Sequence, residues 1–483
     1  MRLSAFLLAA GLLCGAAPLG AQGTDRTGGQ PCQWEEIQSG RGVRYWWCST
    51  TDDRDAISGP NEGDIAYAQG DLSYYDGEAW TTMATSTTGL NDPAGMNFDA
   101  FGRLRTSAPY TLFESQSQYN ASGLLWEDVL TAGGTSTHQS ASSTVRLRVS
   151  TSGDKVVRQT RQYFRYRPGK SQFVAITFQS DSTSDADVRR RIGYFDASNG
   201  AFFEQVGTTL KFCVRNGGSD SCASQGSWNV DDLDGAGASG YTLNILKSQI
   251  LLIDLQWLGV GRVRFGFDID GKAVLAHQVL NANTVTATYM ATANLPLRYE
   301  IEATGTVSTT HDLYAICATV QSEGGFESEL GYPRGAGSAT AISVTTRRNV
   351  LAIRPKATFN GIVNRGLIAF ESAVQTATTN SAYCELIYNP TLGGSPSWTS
   401  AGTNSIVEYD VAGTTITGGD VLAGWFTIAG TGSARGIGGK DLSQRLPLTL
   451  DTAGANPIVL SVACTSFTGT ASVTTAMNWR ELW

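Results

Sequence analysis

Two pairs of acids have a spacing that suits chemistry: Asp268 with Asp270, and Glu300 with Glu302. On a β-strand, residues i and i+2 share a face and lie ~6.5–7 Å apart, within the range of a glycosidase carboxyl pair. One carboxyl would protonate the leaving oxygen while the other served as base or nucleophile. The competing reading is a solvated sheet face on which Arg262, Arg264 and Arg298 match the acids across strands. Imidazole chemistry has three candidates, His138, His277 and His311, and no GxSxG elbow accompanies them. A P-loop and a dinucleotide fingerprint following a strand are both absent, so no cofactor is expected. Asp231-Asp232-Leu233-Asp234 offers oxygen ligands for Ca²⁺ but lacks the spacing and closing Glu of an EF-hand. It reads as a solvated turn, and no metal site is assigned.

A second set of residues could bind rather than react. Trp46, Trp47, Tyr74, Tyr75 and Trp80 cluster near the N-terminus, and sugar rings stack on exposed aromatic faces. Small modules also use Trp to cover a thin core. The second acid pair, Glu-Ile-Glu, resembles the Glu-x-Asp-x-x-Glu strand of sandwich-fold glycoside hydrolases. The third acid is missing, because Gly305 stands in its place. No catalytic residue is therefore assigned.

The cysteines depend on the compartment. Residues 1–21 read as a secretory signal, with Arg2 at the start, an apolar core over 5–17 and Ala21 at the cleavage site. That core is too short for a comfortable membrane span of ~20 residues. The other apolar run, 250–255, is shorter still, so no stable span is expected. Removing the signal leaves Cys32, Cys48, Cys213, Cys222, Cys317, Cys384 and Cys464, with no CxxC among them. In an exported protein the expected disulfides are Cys32–Cys48 and Cys213–Cys222, each flanking a hairpin-like segment, and Cys384–Cys464. Cys317 sits in an apolar strand and reads as a buried thiol.

The elements that must position these residues are strands. The chain holds 55 Gly, 13 Pro and 16% charged residues, a profile of short strands and many turns. Residues 250–279 are the clearest case. After an apolar run ending at Trp257, Val263, Phe265, Phe267 and Ile269 alternate with Arg262, Arg264, Gly266, Asp268 and Asp270. This pattern predicts one apolar and one wet face, with Asp270-Gly271 as the hairpin turn before a third strand. The whole chain is expected to be all-β: an antiparallel β-sandwich of jelly-roll or lectin-like type over 97–350 and a second C-terminal β-sandwich over 351–483. A small N-terminal β module and linker fill 22–96. The net charge of −8 and the absence of a sizeable basic patch argue against a nucleic-acid partner.

Several blocks resemble a family of tailed-phage virion structural proteins. They are FDAFGRLRTSAPYTLFES (98–115), RQTRQYFRYRPGKSQ (158–172), DLQWLGVGRVRFGFDIDGK (254–272), NLPLRYEIEATG (294–305), QSEGG (321–325) and IRPKATFNGIVNRG (353–366). The small "strand, aromatic strand, DG-x-x-W" unit ending at Trp80 is similar to modules of tail fibres and adhesins. The resemblance spans roughly 97–483. It implies a non-enzymatic capsid- or tail-associated decoration or fibre-like subunit, located in the virion. Its partners would be other virion proteins and copies of itself, a homotrimer being the first expectation. The signal-like N-terminus departs from that picture, since virion proteins assemble in the cytoplasm. A secreted or surface β-sandwich lectin or adhesin that binds a host-surface glycan is the alternative. A polysaccharide-cleaving tailspike is the third.

Overall fold

The computed structural model describes the strands and several turn residues within 22–84, and residues 109–483 apart from 183–184, 325–330, 431–434 and 439–445. The signal-like segment 1–21 and the linker 85–96 lie outside the described residues. The chain forms two compact units, 1–93 and 94–483. Apart from a 3-10 turn at Gln225–Ser227, the named elements are β-strands. No described helix is long and apolar enough to cross a membrane.

The N-terminal unit is a six-stranded sheet taken in chain order. Strands Ile65–Ala68, Asp71–Tyr75 and Trp80–Ala84 make the expected antiparallel run. Arg44–Cys48 joins Ile65–Ala68 in parallel.

The second unit contains two antiparallel sandwiches. In the first, an eight-stranded sheet runs Lys272–Val279, Val263–Ile269, Gln249–Leu255, Gln172–Ser180, His311–Ser322, Thr144–Val149, Thr135–Gln139, with Tyr110–Ser115 also on His311–Ser322. A seven-stranded sheet faces it: Ser219–Ser224, Thr209–Asn216, Gly200–Val206, Val188–Phe195, Leu297–Ala303, Lys155–Thr160, Trp126–Thr131. Period-two alternation drives this arrangement. In Gln172–Ser180 every second residue is buried, placing Val174, Ile176 and Phe178 in the core. Phe178 meets Phe203 at 5.7 Å and Phe267 meets Phe203 at 5.6 Å, ring centre to ring centre, so aromatics of both sheets interdigitate. The inward polar groups are paired: Gln172 donates to the Tyr194 hydroxyl at 2.7 Å, and Ser180 to Gln205 at 2.5 Å.

The 250–279 meander forms as expected at one end of the eight-stranded sheet, with Asp270 (φ 55°) and Gly271 (φ 75°) turning the hairpin. Its charged face is not wet along its length. Asp254 stands opposite Arg264, both are buried, and Ser171 donates to the Asp254 carboxylate at 2.5 Å. Arg262 and Asp268 are half-buried, and Asp270 at the turn is exposed.

In the second sandwich, a five-stranded sheet carries Tyr332–Gly337, Ala471–Leu482, Leu367–Ala377 and Arg435–Gly438 in order, with Ile342–Val344 also on Ala471–Leu482. The six-stranded sheet is Thr399–Ser400, Val407–Asp410, Arg348–Pro355, Leu460–Ser466, Ala382–Tyr388, Asp420–Thr427. Its core is built on Leu351, Ile353, Phe370, Val462, Met477 and Trp479. The chain therefore enters this sandwich by Tyr332, and the expected boundary at 350/351 falls inside strand Arg348–Pro355. The reason is long-range pairing: Tyr332–Gly337 and Ile342–Val344 find their partner in the last strand, Ala471–Leu482.

Candidate functional site

The seven-stranded sheet turns its other face away from the core, and the second acid pair lies there. Lys155, Arg189, Arg191, Glu204, Lys211, Arg215, Asp220, Arg298, Glu300 and Glu302 alternate with the core residues of their strands. The Glu300 side chain is only 3% exposed and has Lys155 at 3.2 Å, Arg191 at 3.5 Å and Arg298 at 3.6 Å. Glu302 takes Arg189 at 2.5 Å and Lys155 at 3.4 Å. Arg191 also reaches Glu204 at 2.8 Å, and Arg215 reaches Asp220 at 2.6 Å. Phe195 and Phe202 form the floor of this field, with Arg215 4.9 Å and Arg191 5.4 Å from the Phe202 ring centre. The expected solvated face is thus a dense, largely buried ion-pair lattice at Glu300.

Electrostatics here favour ionised carboxylates. Burial pushes the Glu302 carboxyl up, but Arg189 and Lys155 outweigh it and hold it below the ordinary value. The same balance lowers Asp220, where burial is opposed by Arg215 and then Arg191. A glycosidase acid needs the opposite shift. The first pair is not a pair at all: Asp268 is the last residue but one of strand Val263–Ile269 and accepts the Gly271 N–H at 3.1 Å, while Asp270 sits in the turn. A residue with positive φ leaves the strand repeat, so the two do not share a face.

Other candidates resolve into structure. Asp231 of the acid-rich loop is buried rather than solvated, accepting the N–H groups of Leu233 at 2.8 Å and Ser239 at 2.7 Å. Glu204, Cys213 and Cys222 stand close enough for a metal, but the two sulfurs are joined to each other. A disulfide supplies no thiolate ligand. His277 stacks with Phe212 and Phe265, accepts the Asn229 N–H at 3.3 Å on Nδ1, and is pushed below the ordinary imidazole value by burial. His311 is buried between Asp181 and Asp185.

Two disulfides, Cys213–Cys222 and Cys384–Cys464, each close a directly opposed cross-strand pair. Cys48 is disulfide-bonded and faces Cys32 across its strand pair. Cys317 is exposed, not buried, because the pairing slips by one residue between Ala315, opposite Phe178, and Ala318, opposite Ile176, and this bulge turns Cys317 outward while both alanines face inward.

The N-terminal aromatics do not make one platform. Trp46 is 1% exposed and donates to Asp64 at 3.1 Å, so it is core. Trp80 packs against that core and meets Tyr75 at 5.5 Å. Tyr74 is exposed. The Trp47 side chain lies outside the described residues.

Among the described residues of the second sandwich, two exposed apolar groupings occur, and neither is apparent from sequence. At one, the hairpin Thr358–Phe359/Ile362–Val363 exposes Ile362 (73%) and Val363 (45%), while Phe359 and Tyr332 lie 4.9 and 5.2 Å from the Trp483 ring. At the other, Tyr383, Phe426 and Phe467 form a row with centroid separations of 5.5 and 5.7 Å. Tyr332 and Trp483 reach the first grouping, and Tyr383, Phe426 and Phe467 the second, from stretches far apart in the chain, so spacing along the sequence does not reveal them.

No protein-family model matches the chain, and no curated protein matches it. Among solved structures it is similar to a protein of unknown function from Shewanella oneidensis MR-1, at 8% identity over 44% of this chain and 85% of that one (TM-score 0.32). It is also similar to a glycoside hydrolase family protein from Mycobacterium thermorestibile, at 12% identity over 43% of this chain and 99% of that one (TM-score 0.31). The carbohydrate recognition domain of Emp47p aligns at 12% identity over 44% of this chain and 96% of that one (TM-score 0.29). Likeness at this level carries no functional argument, and the sandwich assignment rests on the strand pairing itself.

Proposed function

We propose that this chain is a non-enzymatic structural subunit of a tailed bacteriophage particle that assembles with copies of itself. The six sequence blocks that resemble virion proteins support the reading. The observation that carries it is the hairpin at 358–363, which lies inside one of those blocks, exposes Ile362 and Val363 to water and sets Phe359 against Trp483, itself in contact with Tyr332. Apolar side chains so placed fit a surface that is covered in the assembled state. The ion-paired state of Glu300 and Glu302 supports a structural rather than catalytic use of that face.

The expected state is a homotrimer in the virion. Light scattering on the purified protein should give three times the chain mass. Ile362→Asp with Val363→Asp should weaken association at least 100-fold, about 2.7 kcal/mol. A wild-type monomer, or an unchanged mass in the double variant, would overturn the interface. Mass spectrometry of purified particles checks location, and its failure to find the protein there would sink the virion reading. A mature N-terminus at residue 22 in culture medium would favour the secreted alternative.

A further inference from the structure

We infer that the outer face of the six-stranded sheet in the second sandwich is a carbohydrate-binding platform, formed by Tyr383, Phe426 and Phe467 and rimmed by Glu385 and Arg347. It is independent of the assembly reading, and it differs from the N-terminal aromatic cluster that the sequence points to.

The geometry begins with register. Tyr383 stands opposite Phe426 on one side and opposite Thr465 on the other. Phe467, just past strand Leu460–Ser466, donates its N–H to the Ser381 carbonyl at 3.1 Å, which fixes it beside the row. Phe426 is 61% and Phe467 55% exposed, so two rings present open area while Tyr383 is half-buried between strands. Gly424 makes the row possible. A Cβ there would stand 2.2 Å from the Tyr383 hydroxyl, so only a residue without a side chain lets that ring lie along the sheet. Glu385 is two residues on from Tyr383 and shares its face, and its carboxylate holds Arg347 at 2.8 Å. Both charged groups reach solvent.

The occupant follows from chemistry and area. A pyranose has an apolar C–H face and a hydroxyl edge that both donates and accepts. Rings supply a rigid surface for the former, and a carboxylate beside a guanidinium serves the latter. A second copy of the chain fits less well. Fully buried aromatics remove ~150–250 Å² each, and half-exposed ones offer on the order of 300 Å² for the row. That falls well short of the ~800 Å² per partner of a stable protein interface.

The test is affinity electrophoresis and array binding of the full chain against bacterial lipopolysaccharides, capsular polysaccharides, soluble β-glucan and mannan. Wild type should be retarded by at least one of them, and Phe426→Ala with Phe467→Ala should lose at least tenfold in affinity. Because both rings are exposed, that variant should keep the wild-type thermal transition and the wild-type mass in light scattering. Arg347→Ala should weaken the same binding with the rings intact. Wild type that binds none of these glycans would overturn the inference, as would a double variant with unchanged binding. A double variant that loses self-association but not glycan binding would assign the row to assembly instead.

Discussion

At the scale of single residues, the acids of this protein work as anchors. Asp154 is buried and accepts N–H groups from Gly133 at 2.8 Å and from Ser150 and Thr151 at 2.9 Å. Burial opposes its charge, yet these backbone donors, led by Ser150 and Thr151, hold the carboxyl below the ordinary carboxylate value. The unfolded chain therefore binds the proton more readily than the folded one. The stabilisation is complete above the ordinary carboxylate range and is lost as pH falls through the lowered value. Asp154→Ala should cost about 2–4 kcal/mol by urea denaturation at pH 7, because three donors lose their acceptor. The difference from wild type should shrink as the pH is taken down through 4 towards 2. His277 acts at milder acidity. Burial lowers its pKa, so the folded state prefers neutral imidazole and stability declines as pH falls below about 6.5. Protonation would also set a charge against the Asn229 N–H. His277→Gln should flatten the stability profile between pH 7 and 5, and an unchanged slope would remove the residue from that dependence.

At the scale of elements, alternation decides what a strand does, and register decides what its polar residues meet. Strand Val263–Ile269 reads as half wet, yet Arg264 is buried because the register of its neighbour delivers Asp254 opposite it. Removing one partner of such a pair strands a buried charge, so Arg264→Ala should cost about 3–5 kcal/mol. Arg264→Met with Asp254→Leu should recover most of that, since apolar replacements of similar volume often match a buried ion pair. Chemical denaturation of the two variants checks both statements. Glu300 and Glu302 teach the same lesson. Their i, i+2 spacing on one face was legible, and Arg298 lies on the same strand, whereas the other cations, Lys155, Arg189 and Arg191, come from Lys155–Thr160 and Val188–Phe195, more than a hundred residues earlier.

At the scale of the whole second unit, the two sandwiches meet through a few specific contacts. Arg365 stacks over Tyr163 at 4.2 Å and donates to the carbonyls of Leu450, Asp451 and Thr452. Glu127 accepts the N–H and hydroxyl of Thr452 at 2.9 and 3.0 Å. These contacts tie the loop around Thr452 to the first sandwich. Arg365→Ala with Glu127→Ala should split the calorimetric transition of the wild type, because each sandwich keeps its own core. A single cooperative transition in that variant would mean that coupling lies elsewhere.

The sequence by itself determined the class of fold. Val, Ile and Phe at period two, with Asp270-Gly271 and its like between runs, dictate strands and turns through local sterics and burial, without reference to distant partners. Two cross-strand disulfides were also legible, Cys213–Cys222 from hairpin spacing and Cys384–Cys464 from its place in one region. Tertiary structure alone decided the rest. It moved the start of the second sandwich to Tyr332, because those strands pair with the last one. Trp46 became core, Cys317 turned to the surface, and Glu300 was surrounded by cations. It also gathered Tyr383, Phe426 and Phe467 into one row. The physical reason is the same in each case. A strand's own periodicity sets which residues share a face, but pairing with strands remote in the chain sets what that face touches.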